Sequence, residues 1–233
     1  MKARCSLALL LSLLAVGAIS GCLSFKPVED PTRFYVLTSQ ASREPPPGAA
    51  RLTNSVFVAP VETPTYLDDP RIAVRQDENR LNYSDLHHWA EPLRQGVRRG
   101  LRDNLVALLG DATVHQLRHR GPGDDVIEVQ VNVSRFELGS DLRAHLVADW
   151  RLVNVKSGEV LAARHSDERR AYRDNPSDYS PAVMALSGTL ADLSREIASV
   201  LVQVTRSANR STFPPCVGDR SCKATSEEES TLG

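Results

Sequence analysis

The chain lacks the long hydrophobic run and the excess of one charge that would place it in several large functional classes. Its 233 residues contain 28 Lys and Arg against 29 Asp and Glu, a net charge of −1. Nucleic-acid binding depends on a basic footprint, which this balance does not supply. The apolar stretch Leu7–Ile19 has about 13 residues, fewer than the roughly 20 that a membrane-spanning helix needs.

Motifs for catalysis and for metal binding are missing as well. No Gly-x-Ser-x-Gly elbow, phosphate-binding loop or dinucleotide fingerprint occurs in the sequence. The six histidines include no pair at ligand spacing with a cysteine or acidic partner, and the adjacent His87 and His88 point in different directions on either a helix or a strand. Asp68 and Asp69 precede Pro70 and indicate a turn. We predict no catalytic, cofactor-binding or metal-binding residues; an enzyme with a dispersed site is kept as an alternative.

The N-terminus has the pattern of an export signal. Lys2 and Arg4 precede the apolar run, and small residues follow it. Ile19-Ser20-Gly21-Cys22 resembles the lipobox of bacterial lipoproteins, in which the cysteine sulfur is acylated with diacylglycerol and becomes the first mature residue. The resemblance implies a signal peptide over residues 1–21 and lipidation of Cys22; a soluble secreted protein with a chance cysteine is the alternative. Each buried CH2 group of an acyl chain contributes about 0.8 kcal/mol, so several chains would hold the protein on a membrane.

The residues after Cys22 bear on which membrane carries the protein. Leu23 stands where retention in the inner membrane would favour Asp, so the usual sorting rule implies the outer membrane, with the domain facing the periplasm. Residues 22–32 form a lipidated tether that reaches about 33 Å beyond the cysteine when fully extended. Loss of residues 1–21 removes Lys2 and Arg4 and changes the net charge from −1 to about −3.

Two more cysteines lie in the C-terminal tail. Cys5 leaves with the signal, so Cys216 and Cys222 form an even pair in an oxidising compartment. We predict a disulfide between them, contributing about 2 kcal/mol of local constraint; two free thiols on a disordered tail are the alternative. This tail, residues 208–233, also contains the acidic run Glu227–Glu229 and shows no sign of packing.

Hydrophobic periodicity predicts one α+β domain over residues 33–207, a largely antiparallel mixed sheet with two long helices packed against it. The strands are predicted at Arg33–Thr38, Ser55–Val61, Arg71–Arg75, Arg80–Tyr83 and Ala112–Leu117, and in a meander at Val126–Phe136, Leu142–Leu152 and Val160–Tyr172. The helices are predicted at Trp89–Leu109 and, with Ser180 as the N-cap, at Pro181–Arg206.

One face of each predicted helix can be interpreted in two ways. The second helix has apolar residues at 3-4 spacing over three heptads, which favours packing on the sheet and is also compatible with a coiled coil between subunits. These residues are Val183, Leu186, Leu190, Leu193, Ile197, Val200 and Val204. The first helix places Arg94, Arg98 and Arg102 four residues apart. This stripe indicates either a solvated face or a contact with anionic head groups or an acidic partner.

Several short segments occur in an order that is more specific than any one of them. They are Phe34–Leu37, Val58–Val61, Tyr66–Arg75, Asn79–Leu81 and Trp89–Leu93, all downstream of the lipobox. In this order they are similar to the ABC-type transport auxiliary lipoproteins, the PqiC/YmbA group. The resemblance covers residues 33–204 and does not extend to the two cysteines of the tail.

The resemblance implies a non-enzymatic part of an envelope lipid-transport system. Such lipoproteins accompany an MCE-domain protein and its ABC permease and ATPase, and they dock the assembly at the outer membrane in support of membrane integrity. A homo-oligomeric ring is part of this expectation, whereas a nucleic-acid partner is not. The alternative is an assembly or activator lipoprotein of a secretion or cell-wall complex. No binding motif of the family transfers residue by residue.

Overall fold

The computed structural model describes residues 30–41, 54–110, 114–115 and 125–212. These residues form an eight-stranded mixed sheet with two helices, which confirms the predicted α+β class. The strands are β1 (Arg33–Tyr35), β2 (Ser55–Val58), β3 (Arg71–Arg75), β4 (Leu81–Trp89), β5 (Val114–His115), β6 (Val126–Gly139), β7 (Arg143–Asn154) and β8 (Val160–Ala171). The helices are α1 (Leu93–Leu109) and α2 (Ser180–Thr212). The signal peptide, Cys22 and the tail cysteines lie outside the described residues.

The antiparallel meander β6–β7–β8 contains the three longest strands and forms one side of the sheet, with β8 at its edge. Its strands have 14, 12 and 12 residues, and β6 pairs with β7 from Ile127 opposite Asn154 to Leu138 opposite Ala144. A bulge between Val133 and Arg135 shifts the alternation by one residue, so that Phe136 and Leu138 continue the buried face. The predicted meander is therefore confirmed, with β6 three residues longer than expected.

The remaining strands join the meander largely through parallel pairing. On the side of β6 away from β7, β2 pairs with the beginning of β6 and β3 pairs with the end of β6. Both pairings are parallel. The hairpin predicted after β3 is confirmed, although β4 continues to Trp89, where it also pairs in parallel with β1. One path across the sheet is therefore β8, β7, β6, β3, β4, β1.

Trp89 and Leu142 lie in other elements than the sequence predicts, for local backbone reasons. Trp89 ends β4 instead of beginning a helix, and its ring lies 6.5 Å from that of Phe136 in the core. The helix α1 starts at Leu93, directly after Pro92, because a residue that precedes proline is disfavoured in the helical region. Leu142 was expected in a strand but occupies the β6–β7 turn with a φ of 58°, and its side chain is exposed.

Both helices pack on the same face of the sheet. Leu186, Leu190, Leu193 and Ile197 of α2 are buried, so the interpretation of its heptad face as core packing is confirmed. The helices approach closely at Gly100, where an added Cβ atom would lie 2.8 Å from Leu190 Cδ2. Within the described ranges, neither helix is long and apolar enough to cross a membrane.

Charged side chains fill the seam between α2 and β8. Arg170 of β8 donates to both carboxylate oxygens of Asp192, at 2.5 and 2.8 Å, and Arg195 donates to the same carboxylate. Burial acts to raise the pKa of Asp192, but these hydrogen bonds outweigh it and hold the pKa below its usual value. Glu168 differs, because burial first and then the charges of Asp192 and Glu196 raise its pKa. The folded state therefore disfavours ionised Glu168.

We expect Glu168→Gln to raise the melting temperature at neutral pH by about 2 °C. In a domain of this size, that shift corresponds to a gain of a fraction of a kcal/mol in the free energy of unfolding. Because the pKa of Glu168 is raised on folding, its destabilising effect is absent below the unfolded-state pKa and grows as the pH rises through the folded-state pKa. The gain should shrink toward about pH 4, near the reference pKa of glutamate. Thermal unfolding at pH 7.5 and near pH 4.5 would measure this, with the exposed Glu159→Gln as the control. An equal effect at both pH values would contradict it.

Candidate partner-binding surface

The face of the sheet opposite the helices is polar along the meander. Inward residues of β6 and β7 are apolar, whereas most outward positions carry polar or charged side chains. We call the central part of this surface the mixed-charge face. It consists of Gln130, Asn132, Asp149, Arg151 and His165.

Strand register assembles the mixed-charge face from residues on three consecutive strands. Asn132, Asp149 and His165 lie side by side on β6, β7 and β8, and Nδ1 of His165 is 2.8 Å from Asp149 Oδ1. In the adjacent row Arg151 Nε donates to Gln130 Oε1 at 2.6 Å. Asp149, Arg151 and His165 are exposed. A guanidinium group, a carboxylate and an imidazole are thus presented together on one surface.

A groove of about 910 Å³ runs between this face and the segment that follows β2. Ala59, Pro60 and Glu62 line one wall, and Glu62 is held against β6 by a parallel bridge to Asn132. Glu128 is largely buried in the lining and accepts a hydrogen bond from Gln130 Nε2 at 2.9 Å. The groove is open, polar and of mixed charge, which suits a polypeptide segment better than an apolar small molecule.

The edge of the sheet beside the mixed-charge face is the long strand β8. Among the described strands it pairs only with β7, so its other edge is not hydrogen-bonded to a further strand. Charged residues occupy much of it, including Arg164, Asp167 and Arg169. Such charges oppose indiscriminate strand pairing and leave the edge available for a partner with complementary charges.

A buried carboxylate next to this surface is structural. Glu137 has no exposed side-chain area, and Arg75, Arg135 and Tyr66 all contact its carboxylate. Burial and the neighbouring Glu137 raise the pKa of Tyr66 to about 12. A cleft of about 430 Å³ beside Arg75 and Arg135 is also lined by Asp77, Glu78 and Asp141, so its charges are mixed. The predicted strand ends at Phe136, so the sequence analysis assigns no face to this buried acid. The bulge places it on the face opposite the helices, where its partners bury it.

The arginine stripe predicted on α1 lies against its own domain. Arg94 forms an ion pair with Asp68, and Arg102 donates to Asp103 at 2.6 Å. Arg98 donates twice to the carbonyl oxygen of Val58, at 3.1 and 3.0 Å, and lies over the ring of Phe57. A partner or lipid contact through these arginines stays a prediction, and each would have to share its guanidinium with an intramolecular acceptor.

The acidic pair and the histidines singled out in the sequence have structural partners. Asp68 ends a 3-10 turn, Thr65–Asp68, and hydrogen bonds from Arg71 are the largest influence that holds the pKa of Asp69 at about 2. The His87 ring stacks on Tyr179 at 4.0 Å. In the part of the chain that the structure describes, no group of three or more His, Cys, Asp and Glu side chains could hold a metal ion.

Residues 35–198 match the family model of the ABC-type transport auxiliary lipoprotein component, and this segment is more than half of the chain. The chain belongs to this family. The resemblance seen in the sequence is thereby confirmed, and the auxiliary lipoprotein is a protein of the cell envelope that serves a transport system. A comparison with curated proteins finds no significant match.

Solved structures share the fold of this auxiliary lipoprotein. Protein XCC0632 from Xanthomonas campestris is 19% identical, with a TM-score of 0.65 over 76% of this chain and 99% of its own. An uncharacterised protein is 21% identical, with a TM-score of 0.58 over 72% of this chain and 96% of its own. At these identities the comparisons show a common fold and leave the partner to be inferred from the surface.

Proposed function

We propose that the protein is a non-catalytic adaptor that docks an MCE-type lipid transporter, with its ABC permease and ATPase, to the outer membrane. The observation that carries the proposal is the family match over residues 35–198, which identifies an auxiliary component of ABC-type transport. In this proposal Cys22 bears the lipid anchor and the domain faces the periplasm. The Cys216–Cys222 disulfide would constrain the tail.

The mixed-charge face supports the docking part of the proposal. Juxtaposed charges of both signs on an exposed sheet favour one complementary partner and disfavour like-charged surfaces. The face lies opposite the helices, so a partner can occupy it without disturbing the core. The adjoining groove accepts a segment of polypeptide from that partner.

A homo-oligomer is the second part of the proposal. The edge of β8 borders the mixed-charge face and offers backbone groups for a contact between copies. A closed ring needs two complementary surfaces on each subunit, and a heterologous contact through this edge supplies one of them. A ring would repeat the mixed-charge face around a transporter.

Partner identification by mass spectrometry tests this function. The tagged lipoprotein, crosslinked mildly in native membranes and then solubilised, should recover an MCE-domain protein together with crosslinked oligomers of the tagged chain. Recovery of a secretion or cell-wall machine instead would favour the alternative, an assembly or activator lipoprotein of that complex. A hydrolase would be indicated by an activity that is lost on a single polar-to-alanine change in a folded chain.

A charge swap tests whether the mixed-charge face makes the contact. The double variant Asp149→Lys with Arg151→Glu keeps the net charge and reverses the local pattern. We expect recovery of the MCE-domain protein to fall about tenfold or more, because like charges are placed opposite each other in the complex.

The matched control is Lys156→Glu with Glu159→Lys, an equivalent swap in the exposed β7–β8 turn. This variant should recover the transporter as the wild type does. Equal recovery by both double variants would remove the mixed-charge face as the docking surface. Thermal unfolding of each variant would show that loss of the partner does not come from loss of the fold.

A further inference from the structure

Three of the large apolar side chains that the described residues expose lie together. Phe34 is 65% exposed, Val36 48% and Leu86 45%. The other three, Leu142, Val160 and Met184, are distributed over the β6–β7 turn, the start of β8 and the start of α2. Single exposed apolar residues are ordinary on protein surfaces, whereas a group of them marks a contact with a partner or a membrane.

Strand pairing brings the group to one edge of the sheet. Phe34 of β1 is in register with His88 of β4, and their rings meet edge to face at 5.8 Å. On β4, Leu86 and His88 flank His87, which is buried. Phe34 and Val36 alternate with Tyr35 and Leu37, which pack in the core. The exposed side chains of both segments therefore lie on the face away from the core. We call Phe34, Val36 and Leu86 the apolar edge. It lies on the face opposite Tyr35 and Trp89, which point to the core.

The charges next to the apolar edge compensate each other. Arg71, in register with His88, forms an ion pair with Asp69 at 2.8 Å and lies 3.8 Å from Asp85. Apolar side chains whose charged neighbours balance each other can enter the interfacial zone of a bilayer. Such a contact does not depend on anionic head groups. The apolar edge therefore differs from the arginine stripe, which would bind a membrane by charge.

The apolar edge is also the part of the domain nearest in sequence to the proposed anchor. Phe34 follows Cys22 by twelve positions, a distance of at most about 40 Å along an extended chain. We propose that Phe34, Val36 and Leu86 contact the lipid surface that holds Cys22, so that the domain rests on the membrane in one orientation. This inference rests on the lipid anchor of the proposed function.

The contact would set the direction in which the mixed-charge face points. The strands β1 and β8 are the two ends of the path across the sheet, five strand spacings or about 24 Å apart. With β1 at the membrane, the β8 edge lies away from it.

Fluorescence quenching by brominated lipids tests the contact. The full-length lipidated variant Phe34→Trp is reconstituted in vesicles of phosphatidylethanolamine and phosphatidylglycerol, part of whose acyl chains are brominated. We expect about half or more of the fluorescence of the added tryptophan to be lost, because bromine quenches only at close range. Wild-type protein supplies the background from Trp89 and Trp150, which are buried.

Val160→Trp is the matched control, since Val160 is 50% exposed at the opposite edge of the sheet. It should lose little fluorescence. Equal quenching of the two variants, or none in Phe34→Trp, would overturn the proposal. So would quenching that requires phosphatidylglycerol and disappears in high salt, because that would assign the contact to charge.

The mass of the N-terminal peptide is measured first, so that the two proposals can fail separately. An unlipidated Cys22 would refute the anchor of the proposed function and the membrane contact with it. A lipidated chain without quenching would refute only the contact and leave the adaptor function standing. The partner recovery described above is independent of both readouts.

Discussion

Replacing Glu137 with alanine is expected to lower the free energy of unfolding by about 3 kcal/mol, the lower end of the range for breaking a buried ion pair. Glu137 is fully buried and forms ion pairs with two arginines, Arg75 and Arg135, whose side chains are 21% and 29% exposed. Without the carboxylate, both guanidinium groups keep part of their desolvation cost and repel each other. Because both guanidinium groups are partly exposed, water can hydrate them in part after the carboxylate is removed. The lower end of the range for a buried ion pair therefore applies.

Urea denaturation of the wild type and of Glu137→Ala measures this loss, provided that the slope of the transition is unchanged. Glu78→Ala is the matched control, because Glu78 is exposed and only its backbone oxygen accepts from Arg75. It should change stability by less than about 0.5 kcal/mol. A loss below about 1 kcal/mol in Glu137→Ala would mean that water replaces the carboxylate effectively.

A second substitution of Glu137 can be followed by spectroscopy, through the ultraviolet absorbance of Tyr66 as its phenol ionises. Glu137→Gln should lower the pKa of Tyr66 from about 12, because it removes the negative charge that opposes ionisation of the phenol. The pKa should stay above the ordinary tyrosine value, since burial is the largest cause of the shift.

Replacing Cys22 with serine is expected to abolish membrane anchoring. A serine cannot receive the thioether-linked diacylglycerol, so the acyl chains that would hold the protein on the bilayer are lost. The chain should accumulate as an unprocessed precursor or as soluble protein. Fractionation of membranes with and without detergent, followed by mass measurement of the N-terminal peptide, would show the change.

Cys5→Ser is the control for this substitution. Cys5 lies within the predicted signal peptide and is removed with it, so this variant should be processed and anchored as the wild type is. Normal anchoring of Cys22→Ser would refute the lipobox. The docking surface of the domain would be unaffected by that result, because it was inferred from the sheet.

The sequence by itself determined the family and most of the elements. Alternation along Val126–Phe136 defined a strand with one buried face, and Ser180 with Pro181 placed the start of α2 within one residue. These features are local, because the period of apolar residues and the chemistry of a cap act within a few positions of the chain.

The tertiary structure decided which residues meet. The parallel pairing of β2 and β3 with β6, the extension of β4 to Trp89 and the burial of Glu137 depend on register and on a bulge. Register also places Asp149 beside His165 on the neighbouring strand, and Phe34 beside His88 from a strand more distant in sequence. A local pattern shows which side of its own strand is buried, but it contains no information about the residue opposite. Only the assembled sheet determines that neighbour, and both proposed surfaces depend on it.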